Sequence, residues 1–312
     1  MRRFLEAKVI VNTRDMSKDE WLEHRRCGIG GSDAAAIVGM NPFKSMVSVY
    51  VDKLKLEEDE AKSSFRMEMG SKLEDFVARE FFLRTGKKTR NVNGILRNDR
   101  YPFAIANIDK RVCKEKAVLE CVVTNSYCKK EWERAVPIQY QIQCLHYMAV
   151  TGATHAYVAA LVGNEELFIH RLERDEDMIE YVMAEEEKFW KECILGGNFP
   201  LPDGSEEYSR FLKSRYKDSR EDSLILFMQE EKLSRYDEVC SCIKKLDMEK
   251  KLLEQGFQKE MGEYEIAFVG DRKITWKKQS RSSVDTKKLR EDYPEIVEMY
   301  VKTTNTRVFK VS

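Results

Sequence analysis

The sequence predicts an α/β protein in which helices flank a mixed sheet, with a helical extension at the C-terminal end. The 312 residues include only 6 prolines and 15 glycines, so few positions interrupt helices. Strand-like apolar segments occur at 103–108 and 117–123, and a hairpin pattern turns at Gly163-Asn164. Helical and strand segments alternate up to about residue 200. We therefore assign residues 1–200 to a core domain and residues 201–312 to an extension.

Four helical segments frame these strands. The first, at 16–26, has Ser17 as its predicted N-cap, and a Gly-rich turn and a short helix follow it. Apolar residues recur at helical spacing over 61–85, until Gly86 ends the pattern. A further helix is predicted from 137 to about 150, and another over 174–195.

The segment 221–261 differs in composition from the core. It is highly charged, and its apolar residues recur at roughly helical spacing. We expect one long helix here, followed by a strand pair around Gly270, a helix near 285–301 and a last strand at 307–311. Either the long helix packs on the core domain as an arm, or it offers a docking surface for another protein.

The composition excludes several classes of protein. Lys and Arg together number 54, as do Asp and Glu, so the formal net charge is zero, with 35% charged and 42% hydrophobic residues. Such a chain is too charged for a membrane protein and too apolar for a disordered one. The zero balance excludes a uniformly basic nucleic-acid coat, but a basic groove offset by acidic helices remains compatible with it.

The cysteines and histidines form neither a metal pattern nor a disulfide pattern. The eight cysteines include no C-x-x-C pair, and the four histidines show no His-x-x-x-His spacing. The N-terminal segment does not resemble a secretion signal. We therefore expect free thiols in a reducing cytoplasm, and no membrane partner.

Two acids stand out because they interrupt or end apolar strands. Asp109 ends the segment AIANID, and Glu120 lies inside AVLECVV. If these strands pair as a hairpin, both carboxylates reach one end of the sheet, and a buried acid is costly unless it is paired or binds a cation. Such a pair suits Mg²⁺, and Glu74 on the preceding helix is a third candidate ligand. The alternative is that all three are surface acids.

The Gly-rich turn at 28–33 is a second candidate site. Gly28, Gly30 and Gly31 let backbone N–H groups approach an anion, and Ser32 begins a helix. With Arg25 nearby, this arrangement suits a terminal phosphate. A plain capped turn is the alternative.

Five motifs occur in an order that is typical of one family. They are WLEHRRCGIGGSD at 21–33, MEMGSKLE at 67–74, NID at 107–109, LEC at 119–121 and YQIQCLHYMAVTG at 140–152. Together they resemble the YqaJ viral recombinase family, phage-type exonucleases related to lambda exonuclease within the PD-(D/E)xK superfamily. The resemblance implies a restriction-endonuclease-like fold.

The resemblance also implies roles for particular residues. Asp109 and Glu120 are expected to bind Mg²⁺, or Mn²⁺ as a substitute, with the main-chain carbonyl of Cys121 and assistance from Glu74. Gln143, on the helix after the catalytic strands, is expected to bond the phosphate or the attacking water.

For DNA, the resemblance places Arg25 and Ser32 on the 5′-phosphate, with the Gly30 backbone beside them. Lys129 and Lys130 are expected to contact phosphates of the duplex.

The chain departs from the family pattern at Val122. The superfamily has a lysine two residues after the second acid, on the same strand face, where it polarises the attacking water. Three interpretations stay open. Lys110, Lys129 or Lys130 replaces the missing lysine; or the protein binds DNA and metal without cutting; or Val122 is an introduced change in a normal nuclease.

The expected function is therefore a metal-dependent exonuclease that resects linear double-stranded DNA from the 5′ end for annealing-based recombination. The family implies a single-strand annealing protein as partner, a homo-oligomeric ring, and a phage- or prophage-encoded protein in the host cytoplasm. A catalytically silent DNA-end-binding protein and a protein-interaction module are the alternatives.

Overall fold

The computed structural model describes residues 3–56 and 65–311, which form two units, one ending at Tyr216 and one beginning at Lys217. The boundary therefore comes after Tyr216 rather than after residue 200. The helix Glu206–Arg215 accounts for the difference, because its Tyr208 and Phe211 are buried in the core of the first unit.

Helices and short strands alternate along the chain. The helices are α1 Lys18–Arg26, α2 Gly31–Ile37, α3 Met46–Lys53, α4 Phe65–Thr85, α5 Lys129–Arg134, α6 Ile138–Thr151, α7 Glu176–Phe189, α8 Glu206–Arg215, α9 Glu230–Met261, α10 Thr286–Asp292 and α11 Pro294–Tyr300. The strands are β1 Arg3–Phe4, β2 Ala7–Asn12, β3 Thr89–Arg90, β4 Gly94–Arg97, β5 Ile105–Ala106, β6 Lys110–Val112, β7 Ala117–Thr124, β8 His155–Val162, β9 Glu166–Glu173, β10 Ile266–Val269 and β11 Arg272–Thr275. Within the described ranges, no helix combines the length and the apolar character that a bilayer span requires.

Several helix ends follow directly from the local sequence. The Ser17 side chain accepts a hydrogen bond from the Glu20 N–H, and the Ser17 N–H donates one to the Glu20 carboxylate, which confirms the predicted cap of α1. Gly86 and Gly152, which follow α4 and α6, both have positive φ, a conformation that favours glycine. Residues 61–64 of the helical segment predicted over 61–85 lie outside the described residues.

A five-stranded sheet forms the centre of the first unit, in the order β3-β6-β7-β8-β9. β7 and β8 are parallel, whereas the other neighbours are antiparallel. A parallel pair needs a crossover connection, and the segment containing α5 and α6 provides it. The predicted mixed sheet flanked by helices is thus confirmed.

Both faces of β7 are buried, which explains its nearly continuous apolar sequence. Val118 and Val122 pack in the cluster that includes Met148 of α6. Leu119 faces the other way, into the cluster that includes Phe81 of α4. The period of two along a strand therefore places residues 118, 120 and 122 on the α6 side of the sheet.

A second, antiparallel sheet has the order β1-β2-β4-β5. The prediction that segment 103–108 pairs with 117–123 is wrong, because β5 pairs with β4 and Ala104 bridges to Ile29. The chain then crosses to the central sheet, where β6 pairs with β7. Asp109 lies at this crossing.

In the second unit, α9 begins at Glu230, so the predicted helix over 221–261 is confirmed only from that residue. Gly270 turns the predicted hairpin of β10 and β11 with positive φ. Pro294 begins α11 directly after Tyr293 ends α10, which divides the predicted helix over 285–301 in two. The expected strand at 307–311 is absent from the described secondary structure.

Candidate active site

Asp109 and Glu120 come together where the chain enters the central sheet. Lys110 of β6 pairs with Leu119 of β7, so the preceding Asp109 lies opposite Glu120. The Cys121 N–H donates a hydrogen bond to Asp109 Oδ2 at 2.8 Å. The two acids thus meet as expected, although a different strand carries Asp109 to this position.

The acid pair lacks the partners that would neutralise it. Gln143 Nε2 donates to Glu120 Oε1 at 2.6 Å, while Glu120 Oε2 is buried without a hydrogen-bond partner among the described residues. Burial raises the pKa of Asp109 to about 7, and the Glu74 charge adds to the shift. Burial, with the charges of Asp109 and Glu74, also raises the pKa of Glu120 well above its usual value.

These carboxylates suit a hard divalent cation such as Mg²⁺. An unpartnered buried carboxylate oxygen and two raised pKa values indicate that the pair is incomplete without positive charge. In the described part of the chain, no three His, Cys, Asp or Glu side chains are grouped closely enough to hold a metal ion. The donor set that fits is therefore two carboxylates, completed by backbone oxygen or water.

Glu74, the expected third acid, is bound to a lysine instead. Lys110 Nζ lies 2.8 Å from Glu74 Oε1 and 2.7 Å from Asp75 Oδ1. Burial lowers the pKa of Lys110, but the hydrogen bonds to Asp75 and Glu74 outweigh this effect and raise it. A buried, charged ammonium group therefore stands beside the acid pair.

Lys129 and Lys130 lie elsewhere, on α5. Lys129 Nζ is 2.8 Å from Glu166 Oε2 on β9, and neither lysine lines the cavity that contains the acid pair. Of the three lysines considered as replacements for the missing one, Lys110 is the one beside the acids.

Val122 occupies a core position. It is 4% exposed and belongs to the apolar cluster on the α6 side of the sheet. The side chains of residues 120 and 122 lie on the same face of β7. A lysine side chain at position 122 would therefore leave the backbone within this apolar core and extend toward Glu120.

Three cationic side chains surround the start of α2. Arg25 Nη2 donates to Ser32 Oγ at 2.5 Å, so the predicted pair is brought together. Arg25 also lies 3.3 Å from Asp33 Oδ1, which Lys44 Nζ approaches to 2.8 Å. Lys53 Nζ lies 2.7 Å from Asp33 Oδ2, with both side chains fully buried.

Asp33 is the residue that organises these cations, and the sequence reasoning missed it along with Lys44 and Lys53. Burial raises the pKa of Asp33, but Lys53, Lys44 and Arg25 together lower it far below its usual range. The available signal was an acid three residues after Gly30 in a sequence that begins a helix. Three cations against one carboxylate leave a net positive charge beside Ser32.

The glycines of this turn let neighbouring elements pack closely, and the Gly30 N–H is not open to an anion. The Gly30 N–H, expected to face a phosphate, donates to Asp33 Oδ2 at 3.2 Å. A Cβ atom on Gly31 would lie 2.5 Å from Tyr147 Cε1, so this position needs glycine because α6 approaches it.

Tyr147 and His146 connect α6 to the strand that leads to Asp109. Gln143 Nε2 donates to the Tyr147 hydroxyl at 3.1 Å, and that hydroxyl donates to the Asn107 carbonyl at 3.2 Å. His146 is fully buried between Glu186 and the Ile105 carbonyl, which excludes it from contact with DNA. Tyr147 was missed, although its spacing of four from Gln143 indicates a shared helix face.

One cavity of about 160 Å³ contains both groups of residues. Its lining includes Arg25, Gly30 and Ser32, here called the cationic end, and Asp109, Glu120 and Gln143, here called the acidic end. The remaining lining residues are Trp21, Gly31, Ile95, Ile105, Asn107 and Tyr147. The cavity thus places a cationic end and an acidic end side by side.

The fold and the cavity define the class of protein: an α/β domain with an acid pair and a cationic pocket in one cleft. Residues 20–154 match the sequence model of the family described as a YqaJ-like viral recombinase domain. The chain is 36% identical over 313 residues to the uncharacterized protein YqaJ of Bacillus subtilis strain 168, covering 98% of this chain and 97% of that one. The chain belongs to this YqaJ-like viral recombinase family, which confirms the resemblance seen in the motifs.

Two solved structures are similar at low identity. One is an alkaline exonuclease, LHK-Exo, from Laribacter hongkongensis, with 20% identity and a TM-score of 0.49 over 57% of this chain and 94% of that chain. The other is a phage-related exonuclease from Haemophilus somnus 129PT, with 14% identity and a TM-score of 0.43 over 55% of this chain and 96% of that chain.

Proposed function

We propose that this chain is a metal-dependent deoxyribonuclease that resects linear double-stranded DNA from the 5′ end. The observation that carries the proposal is the shared cavity, because it joins a cationic end suited to a phosphate with an acid pair suited to a divalent cation. Membership of a viral recombinase family and the exonuclease names of the two similar structures agree with this class of reaction.

Asp109 and Glu120 are the proposed ligands of Mg²⁺, for which Mn²⁺ can substitute, with the Cys121 carbonyl as a further donor. When bound, the ion would activate a water molecule and stabilise negative charge on the leaving oxygen. Gln143 holds one oxygen of Glu120 and so leaves the other oxygen available. Glu74 acts through its ion pair with Lys110.

Arg25 and Ser32 are the proposed contacts of the 5′-phosphate. Their mutual hydrogen bond holds a guanidinium and a hydroxyl side by side, and an anion can bind to both. Lys44 and Lys53 add positive charge behind this pair through Asp33.

Lys110 is the proposed replacement for the missing motif lysine. Its buried ammonium group bonds Glu74, whose charge in turn raises the pKa of Asp109. This arrangement keeps a positive charge next to the acids without a lysine on β7.

A catalytically silent DNA-end-binding protein is the second candidate, favoured by the burial of Val122 in the core. Digestion of a 5′-phosphorylated linear duplex with Mg²⁺ or Mn²⁺ separates the two, using the parent chain, Lys110→Gln and Val122→Lys. The proposal expects the parent to cut and Lys110→Gln to cut at least about 100-fold more slowly. If only Val122→Lys cuts, the parent is a silenced nuclease.

We also infer the setting from the family. A viral recombinase domain is consistent with a protein that acts together with a single-strand annealing protein in a host cytoplasm. It is also consistent with a homo-oligomeric ring that encloses the duplex. Sedimentation of the parent chain with and without DNA tests the ring, since a monomer in both conditions would contradict it.

A further inference from the structure

A second charged groove is bordered by α4, β3, Lys110 of β6 and the turn from β6 to β7. Its volume is about 710 Å³. Its cationic lining residues are Arg79, Lys88, Arg90, Lys110 and Lys114. Asp75 is the one acid among its described lining residues. The groove is therefore strongly positive in a chain whose formal net charge is zero.

Most of this positive charge has no partner. Asp75 is bound to Lys110, which leaves Arg79, Lys88, Arg90 and Lys114 without an ion pair or a side-chain hydrogen bond among the described residues. All four are exposed. Other lysines of the first unit differ in this respect: Lys87 is bound to Glu115, and Lys129 to Glu166. Four like charges gathered without counter-charges make a surface that attracts a polyanion.

Lys110 connects the groove to the acid pair, because its ammonium group binds Asp75 of the groove and also Glu74, whose charge acts on Asp109. Lys110, which lines the groove, follows Asp109 in the chain and pairs through its backbone with Leu119, next to Glu120. Arg90 is fixed on β3, whose backbone pairs with β6 at Arg111. The backbone pairing of β3, β6 and β7 therefore fixes the position of the groove relative to the acid pair. Phe82, an exposed aromatic side chain on the same lining, offers a face on which a base can stack.

We propose that this groove binds the sugar-phosphate backbone of DNA beside the scissile bond. The inference rests on the proposed nuclease function and adds substrate contacts to that site. Contacts of this kind go to phosphates and carry no sequence information. They extend the grip on DNA beyond the 5′-phosphate held by Arg25 and Ser32.

The test is the salt dependence of DNA affinity, measured by fluorescence anisotropy with a 5′-phosphorylated linear 30-base-pair duplex in EDTA, which prevents cutting. Lys88→Gln/Arg90→Gln is compared with the parent over a range of NaCl concentrations. Each lost phosphate contact flattens the slope of log affinity against log salt by about 0.9. We expect the double variant to flatten it by about 1.8 and to bind several-fold more weakly at low salt.

Lys191→Gln/Lys213→Gln is the matched control, because it removes the same charge from exposed lysines that do not line the groove. The control should keep the slope of the parent. If the groove variant also keeps that slope while the parent binds DNA, the groove assignment is overturned and the proposed function stands. If the parent binds no duplex even at the lowest salt, both the groove and the proposed function are overturned. Thermal unfolding checks that each variant is folded.

Discussion

The two ends of the cavity use buried carboxylates in opposite ways. At the Arg25 end, Asp33 is surrounded by three cations and its pKa is lowered far below the usual range. At the acidic end, Asp109 and Glu120 face each other and Glu74, and their pKa values are raised. At the Arg25 end the chain thus supplies counter-ions to the carboxylate itself, whereas at the acidic end the nearby Lys110 binds Glu74 and Asp75 rather than Asp109 or Glu120.

This difference is the reason for treating Asp33 as a structural carboxylate and the acid pair as the proposed ligands of a cation. Asp33 holds cations in place, and it needs no ligand because its own charge is already compensated. The acid pair remains uncompensated, and a buried charge in that state is costly unless something binds it. The excess of charge has opposite sign at the two ends, as a phosphate and a divalent cation require.

The largest expected effect is that of Glu120→Gln at the acidic end. The amide keeps the shape and can still accept from Gln143, but it loses the charge that holds the cation. We expect DNA digestion to fall by at least about 10³-fold, equivalent to about 4 kcal/mol. Urea unfolding should show stability that is unchanged or higher, since a buried charge has been removed. A large loss of stability would contradict the ligand role.

Asp33→Asn changes the cationic end of the cavity, and its main effect should be a lower free energy of unfolding. The variant leaves the fully buried Lys53 without its counter-charge, and breaking a buried pair in this way costs about 3–5 kcal/mol. Urea unfolding measures the loss. Lys44→Gln is the control, because Lys44 is partly exposed and its removal should cost about 1 kcal/mol. Equal losses in both variants would contradict the structural role of Asp33.

Arg25→Gln should change end recognition with little change in fold. A hydrogen bond to a charged group contributes about 1.5–3 kcal/mol, so the preference for a 5′-phosphate over a 5′-hydroxyl should fall about 10–100-fold. Competition binding of the two duplex ends in EDTA measures it. Lys18→Gln on the same helix is the control and should keep the preference of the parent.

The pH dependence of the free energy of unfolding reports on the acidic end, and the parent chain alone is enough for a first measurement. The folded pKa of Asp109 is about 7, above the unfolded value of 3.8, so its contribution to stability is lost as pH rises through this range. In metal-free buffer we expect stability to fall between about pH 4 and pH 7, and Asp109→Asn to flatten that part of the curve. Added Mg²⁺ should restore stability at pH 7. A curve that Asp109→Asn leaves unchanged would contradict the raised pKa.

The smallest expected effect is that of Lys129→Gln. Lys129 is paired with Glu166 on the surface and lies outside the cavity. We expect stability to change by less than about 0.5 kcal/mol and digestion by less than about twofold. A tenfold loss of digestion would restore Lys129 as a candidate replacement lysine.

Much of the fold was predictable because its signals are local. The Ser17 cap, the turn at Gly163 and the nearly continuous apolar run of β7 each depend on a few neighbouring positions. Arg25 and Ser32 lie only seven residues apart, and so were also within reach of sequence reasoning.

The rest depends on packing between distant segments. Lys53 meets Asp33 because α3 packs on α2, and Lys110 meets Glu74 because α4 covers the central sheet. The pairing of 103–108 was mistaken because a second sheet competes for that segment. No local pattern indicates which of two sheets a short apolar strand joins.

The most direct test of the account is digestion of an equal mixture of 5′-phosphorylated and 5′-hydroxyl linear duplexes with Mg²⁺, by the parent, Arg25→Gln and Glu120→Gln. The account predicts that the parent degrades the phosphorylated duplex first, that Arg25→Gln loses this preference, and that Glu120→Gln degrades neither. If Glu120→Gln digests DNA as the parent does, the acidic end of the cavity is not the active site.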